Sequence, residues 1–340
     1  MKSLLSFKGA VKALVPVWLA VELLVACAFA DGATTDPYLP DAVVPNGPHK
    51  GLPIYAKRKR PLVILPPEKA AHYDPDPENL VFANFYSEGK LWIASLPKNA
   101  VESVIFQIDE DHSMGIKPLI SHVQLRFKLK QGRELRLFPQ SGASPKNASV
   151  NDIVLSAETT MPKGVDFSLV KGFLNHYVRT VRLLSSADAF KIGAVMSHHR
   201  FEQVLLSMDD AKKSQLLEQA IRLSDESQFK IMYHTAVKNC STFVFCDLFG
   251  NVFQSDSDAK VAKKVKVPLL TFGPLLKTNL RRRGLIDPVT NGRLPDWNDE
   301  WSDRIPAGSR ISKKSTVDCI KTLLTEGFKK WTGKISEMRP

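Results

Sequence analysis

Residues 122–129, His-Val-Gln-Leu-Arg-Phe-Lys-Leu, alternate without a break. Val123, Leu125, Phe127 and Leu129 fall on one face, and His122, Gln124, Arg126 and Lys128 on the other. Successive side chains of an extended chain point to opposite sides, so the pattern specifies a strand and decides which face meets a core. After Gln131-Gly-Arg133 the stretch from Glu134 to Phe138 alternates again, which reads as a hairpin turning near Gly132. In that register Gln140 and Ser141 come opposite His122, with Glu158 behind them.

Val101 to Ile108 is β-branched and aromatic enough for another strand, and Asp152 to Ala157 for one more. Helices are expected later in the chain. Residues 167–184 have a mixed period containing a helix. Ser207-Met-Asp-Asp210 has capping-box spacing and opens an amphipathic helix with Leu216, Leu217, Ala220 and Ile221 on one face. Ser241 to Phe249 is apolar nearly all round, which suits a helix buried on most sides. A last amphipathic helix is expected over 315–331, beyond a loop-rich section that holds Trp297-Asn-Asp-Glu-Trp301. The fold class is therefore α+β, with an antiparallel sheet and packed helices.

Before residue 80 the chain reads differently. Ten of its 22 prolines lie between Pro37 and Pro77. Proline removes a backbone donor and fixes φ, so this stretch is expected to be an extended arm that holds no helix. Ahead of it, Lys2, Lys8 and Lys12 precede the apolar run from Leu14 to Ala30, the layout of a signal peptide. Two cleavage sites are open. Leu-Val-Ala-Cys27 resembles a lipobox, in which Cys27 would carry lipid; Ala-Phe-Ala30 would release a chain starting at Asp31. The expected organisation is a signal peptide over 1–30, an arm over 31–79, a folded domain over 80–255, and a basic, loop-rich extension with a C-terminal helix over 256–340.

The formal charge of +12 falls to about +10 once residues 1–26 are removed, because three lysines and Glu22 leave with them. For an exported chain the acidic partners at hand are an anionic membrane surface or peptidoglycan. No nucleic-acid motif with interleaved aromatics appears. Lys57-Arg-Lys-Arg60 and Arg281-Arg-Arg283 read as solvated faces or contacts with anionic membrane. Asp109-Glu-Asp-His112 reads as an acidic loop, and His198-His199 point apart in an extended chain, so no metal site is expected. No cofactor is implied.

The chemistry centres on Cys240. Asn239 is a good N-cap, which puts Cys240 in the first turn of the apolar helix, where the helix dipole favours thiolate. Thiolate is the reactive form, and His122 on the polar strand face is the leading base. The plain alternatives are a small buried apolar residue or half of a disulfide. Cys240 and Cys246 point to different sides of a helix, so the sensible bridge is Cys246 with Cys319. His234 reads as packing near Tyr233.

Ser121-His-Val-Gln-Leu-Arg-Phe127, Val170-Lys-Gly172 with Tyr177, Arg200 to Leu206 before a capped helix, and an aromatic ahead of Asn239-Cys240-Ser241 together resemble the Lnb N-terminal periplasmic domain family. In order of elements it is similar to circularly permuted NlpC/P60-type proteins. That resemblance implies a papain-like core, an exported cell-envelope location, Cys240 as nucleophile and His122 as its base. Gln140 is the residue to test as the third member, with Asn239, Ser121, Arg126 and Ser141 around the site. The implied activity is hydrolysis of an amide or ester, in a peptidoglycan peptide or a lipid acyl group. The alternative is a non-catalytic envelope binding or scaffold lipoprotein of the same fold.

Overall fold

The computed structural model describes residues 36–39, 42–110, 121–141, 148–253 and 273–306. The signal segment with Cys27, the loop holding His112, and the expected C-terminal helix with Cys319 lie outside the described residues, so the Cys246–Cys319 pairing does too. The chain divides into two units, Met1–Leu39 and Pro40–Pro340. The first is described only at a turn in which Leu39 N–H donates to Asp36 O (3.0 Å).

The second unit is built on a mixed, mostly antiparallel sheet. Its strands are β1 (Val63–Ile64), β2 (Leu80–Ser87), β3 (Lys90–Leu96), β4 (Val101–Glu110), β5 (His122–Leu129), β6 (Leu135–Pro139), β7 (Ala148–Val150), β8 (Asp152–Thr160), β9 (Tyr177–Ser185), β10 (Arg200–Leu205) and β11 (Met232–Tyr233). Their order is β10-β4-β5-β8-β9-β2-β3-β6-β7, with β1 beside β2 and β11 beside β9. Among the described strands β2 and β9 alone run parallel.

The expected hairpin does not form. Both edges of β5 are taken, by β4 and β8, and a strand has only two. Gly132 does turn the chain, at φ 76°, but β6 is carried on to pair with β3 and β7, with four strands between it and β5. Leu135 and Leu137 are buried there beneath the same core.

Alternation along the strands sorts the core into two layers. Val123, Leu125 and Phe127 join Leu155, Leu183 and Phe82 on one face. That face is covered by α4 (Asp210–Ser227), by α5, and by α6 (Gly273–Arg282) through Leu276 and Leu280. The helix α5 starts at Cys240–Thr242, widens to a π-turn over Phe243–Leu248 and closes with Phe249–Val252. Leu216, Leu217, Ala220 and Ile221 face inward from α4 as their spacing requires, but the cap is Asp209, whose side chain accepts from Lys212 N–H, and not Ser207.

The opposite face of β5 is buried as well. Val154, Leu184 and Phe201 meet Phe190 of α3 (Ser186–Phe190, continued as a π-turn over Lys191–Met196) and Trp297 of α7 (Trp297–Glu300). A polar strand face placed under a second layer must find partners for every donor it carries. Arg126, 1 % exposed, does so completely. Its guanidinium donates to Asp152 (2.6 Å to Oδ2), to Glu300 (2.7 Å to Oε2) and to Gln203 (2.9 Å), and stacks 5.0 Å from both Trp297 and Trp301. Burial works to raise the Glu300 carboxyl, but hydrogen bonds from Arg126 and Gln203 hold it at about 2. Residues 293–306, expected to be loop in an extension, are therefore the lid of the second core.

The proline-rich stretch also joins the fold. Val44 and Leu62 are fully buried, and Ser224 Oγ takes the Leu62 N–H (2.8 Å). Val44, Ile54 and Ala56 pack on Val178 and Phe229. A short helix does form, α1 (Pro67–Tyr73), because Pro67 occupies a first-turn position whose missing N–H costs nothing.

Arg126→Ala leaves two carboxylates facing an apolar layer without their cation and is expected to cost about 3–5 kcal/mol. The denaturant midpoint measures this. Because Arg126 stands about 13 Å along β5 from His122, alkylation of Cys240 in the folded variant is expected to be unchanged.

Candidate functional site

The site assembles at the end of the sheet where β5 and β9 begin and β4 and β8 finish. Asn239 closes a capping box around the start of α5. Its Oδ1 accepts from Thr242 N–H (2.9 Å), and its own N–H donates to Thr242 Oγ1 (2.8 Å). Its Nδ2 donates to Thr235 O (2.5 Å), tying the cap to the preceding loop. These bonds fix Cys240 in the first turn, 5 % exposed, against β5, where Val123 N–H points at Sγ (3.4 Å).

Gly172 of α2 (Leu169–Phe173) explains how that loop comes so close. A Cβ on Gly172 would meet Thr235 Oγ1 at 2.5 Å, so only glycine lets α2 approach the segment that leads to Cys240. Thr235 N–H donates to Gly172 O (3.1 Å) across the same contact. His234 packs edge-on to Phe173 and accepts from Ala236 N–H.

His122 stands beside the Cys240 sulfur, whose charge acts on it. Its Nε2 lies 2.9 Å from Ser156 Oγ, so Nδ1 is the nitrogen available to the sulfur. Across the strands the imidazole stands in a row. Asp109 of β4 is its register partner on one side, and continuing the Gln124–Ser156 register brings Glu158 of β8 opposite it on the other. Both carboxylates are themselves held. Asp109 pairs with His199 Nδ1 (2.8 Å), and Glu158 with Arg182 and Lys59 (each 2.7 Å).

The electrostatics follow from this row. Burial by itself would lower the His122 pKa, but the Cys240 sulfur beside it, its hydrogen bond, and the charges of Asp109 and Glu158 raise it to about 9. Burial would raise the Cys240 thiol, yet His122, the Val123 N–H and Ser241 pull it below its ordinary value. Glu158 resists the upward push of burial because Arg182 and Lys59 keep it well below the usual carboxylate range. Both shifts run toward a thiolate–imidazolium pair.

A cavity of about 380 Å³ opens at His122. Phe167, Leu184 and Phe201 give it apolar walls, while Lys59, Glu158 and Tyr233 supply polar ones. Cys240 lies behind these walls and does not form one. Among the described residues no cluster of three metal-ligating side chains occurs.

The structure brings Cys240, Asn239 and His122 together with Ser121 adjacent, and leaves Gln140, Ser141 and Arg126 elsewhere. Gln140, after β6, exchanges hydrogen bonds with Asn84 (Asn84 N–H to Oε1 and Nε2 to Asn84 Oδ1, both 2.8 Å), and the side chain that meets His122 Nε2 is Ser156. Ser141 is exposed beside Gln140. Arg126 serves the second core. Ser121 is buried next to His122. Ser156 and Tyr233 were not read from sequence as site residues, Asp109 was read as part of an acidic loop but is a β4 residue, His199 was read only as no metal ligand, and Glu158 was placed by a hairpin that does not exist. The pairing of β8 with β5 would have found Ser156 and Glu158.

The family model described as the Lnb N-terminal periplasmic domain matches residues 90–268, from β3 to beyond α5. No curated protein and no solved structure matches.

Ser156→Ala is expected to move the midpoint of the Cys240 alkylation pH profile by about half to one unit, since the imidazole loses its second partner. Gln140→Ala is expected to leave that midpoint where it is. Gly172→Ala, which drives a methyl into Thr235, should lower stability by about 1–3 kcal/mol in thermal or denaturant unfolding.

Proposed function

The chain belongs to the Lnb N-terminal periplasmic domain family, and from that premise we propose an exported cell-envelope thiol hydrolase with Cys240 as nucleophile and His122 as its acid–base partner. The observation that supports this most is the meeting of His122, first in β5, with Cys240 at the start of α5, where Val123 N–H points at the sulfur, the histidine pKa is raised and the cysteine pKa lowered. The order of elements, histidine on a strand and cysteine opening a later helix against it, is the one expected of a papain-like core of permuted, NlpC/P60 type.

The Cys240 thiolate adds to the carbonyl carbon of an amide or ester. With Thr242 N–H taken by the Asn239 cap, the Cys240 and Ser241 N–H groups ahead of it in α5 receive the oxyanion in this reading. Collapse of the adduct expels the amine or alcohol, which takes its proton from the His122 imidazolium. Water, deprotonated by neutral His122, then cleaves the thioester, releases the acid and restores the thiol. Ser156 holds the imidazole in orientation, and Asp109 and Glu158 stabilise its cationic form.

A second reading, a non-catalytic envelope binding or scaffold protein, is favoured by the 5 % exposure of Cys240. Alkylation separates the two. The thiolate is present above the lowered cysteine pKa, so Cys240 should react with iodoacetamide well below pH 8 and lose reactivity only as pH falls through that pKa. His122→Ala removes the main cause of the lowering and leaves burial, so the midpoint should rise by at least about one unit, roughly tenfold less thiolate at neutral pH. A Cys240 that is inert at all pH, or indifferent to His122→Ala, excludes the thiol reading.

Lipid attachment at Cys27 is part of the same proposal. Cys27→Ala should leave the chain unprocessed or move it from the membrane to the soluble fraction on fractionation.

A further inference from the structure

Three segments that are distant in sequence meet around the mouth of the His122 cavity. They are residues 42–60, 161–177 and 228–240. Tyr55 N–H donates to Met161 O (3.0 Å), and Lys163 N–H to Pro53 O (2.7 Å), which joins the first to the second. Gly172 and Thr235 join the second to the third, as does the Phe173–His234 ring contact. Lys59, Phe167 and Tyr233, one from each segment, all wall the cavity.

Two features of this rim do not suit a surface facing only water. It exposes large apolar side chains together: Tyr55, Phe167, Phe173, Leu174 and Val237, between 41 % and 60 % exposed. Outside the three segments and among the described residues of this unit, the exposed large apolar side chains are Met196, Leu205, Leu275 and Val289, spread over separate elements as surface apolar residues ordinarily are. The rim is also strongly basic. The three segments carry nine lysines and arginines against one acid, Asp166. The nearest buried carboxylate, Glu158, is turned inward to Lys59 and Arg182.

We infer that this rim is a docking face for an anionic lipid bilayer, seated with its aromatic and aliphatic tips in the headgroup region and its lysines against lipid phosphates. Short apolar tips ringed by Lys and Arg match an interface whose outer layer is anionic and whose inner layer is apolar. Peptidoglycan offers carboxylates to the lysines but no apolar layer for Phe173 and Leu174 to enter. Seated this way, the cavity opens onto the bilayer surface. The inference concerns where the molecule sits and stands apart from the thiol chemistry.

The test uses the full chain and lysine acetylation by a membrane-impermeant reagent, read residue by residue by mass spectrometry. Any N-terminal attachment tethers the chain alike in every sample, so the readout is which lysines are shielded. With phosphatidylglycerol vesicles, acetylation of Lys57, Lys163, Lys171 and Lys238 should slow by about fivefold or more, while Lys90 and Lys191 at the opposite end of the sheet change by less than about twofold. Phosphatidylcholine vesicles should shield the rim much less. The double variant Tyr55→Ser, Leu174→Ser, both more than half exposed and so free to fold, should lose the shielding while its Cys240 alkylation profile stays that of the parent. Equal labelling of both ends in phosphatidylglycerol, or shielding by purified sacculi but not by vesicles, overturns the proposal. Shielding that persists in a protein whose Cys240 proves inert supports the docking face and sinks only the thiol reading.

Discussion

The structure depends on burying β5 on both faces. One face is apolar and needs only cover, which α4, α5 and α6 supply. The other carries His122, Gln124 and Arg126 and can be buried only if each polar group is matched. The Gln124–Gln107–Gln203 chain (2.8 and 2.9 Å) and the Arg126 guanidinium between two tryptophans provide that match. Arg126 is the demanding member, since an unpaired buried cation costs far more than a lost contact. Asp152 and Glu300 meet it from two distant parts of the chain, so α7 is drawn onto the sheet by charge as much as by Trp297.

A strand clamped this way gives the site its rigidity. His122 is the first residue of β5, and its neighbours in the ladder decide its chemistry. Asp109 and Glu158 flank it because β4 and β8 hold the two edges of β5. Each carboxylate is fixed by a partner of its own, so neither has to swing to stabilise the imidazolium. Cys240 reaches the same point from the other direction, with a cap that sets its first turn and a glycine that lets the preceding loop close on α2. Burial alone favours the neutral form of each group, and their nearness pulls both shifts the other way.

Much of this was legible in the sequence, for physical reasons that differ by element. The β5 alternation, the inward stripe of α4 and the Asn239 cap are local patterns, set by a period of two, a period of 3.6 and one side chain near its own backbone. Each is where the sequence puts it. The β5–β6 hairpin, Gln140 as a third site residue, and the extended arm over 31–79 were reasoned from local signals as well, and the structure departs from them. Gly132 turns the chain but cannot say which strand edge is vacant when the chain comes back. Prolines forbid a helix in general, yet Pro67 begins one.

The sequence by itself determined that β5 is a strand and α4 a helix, which face of each is apolar, and that Cys240 opens a helix behind an asparagine. Those properties follow from backbone geometry within a few residues. The tertiary structure alone decided strand order, and with it Ser156 beside His122, Glu158 and Asp109 to either side, Lys59 delivered from the proline-rich stretch, and a buried guanidinium in place of a solvated one. Strand order is a competition between edges far apart in the chain, settled by which pairing buries the most apolar surface without stranding a charge. No window of the sequence contains both competitors.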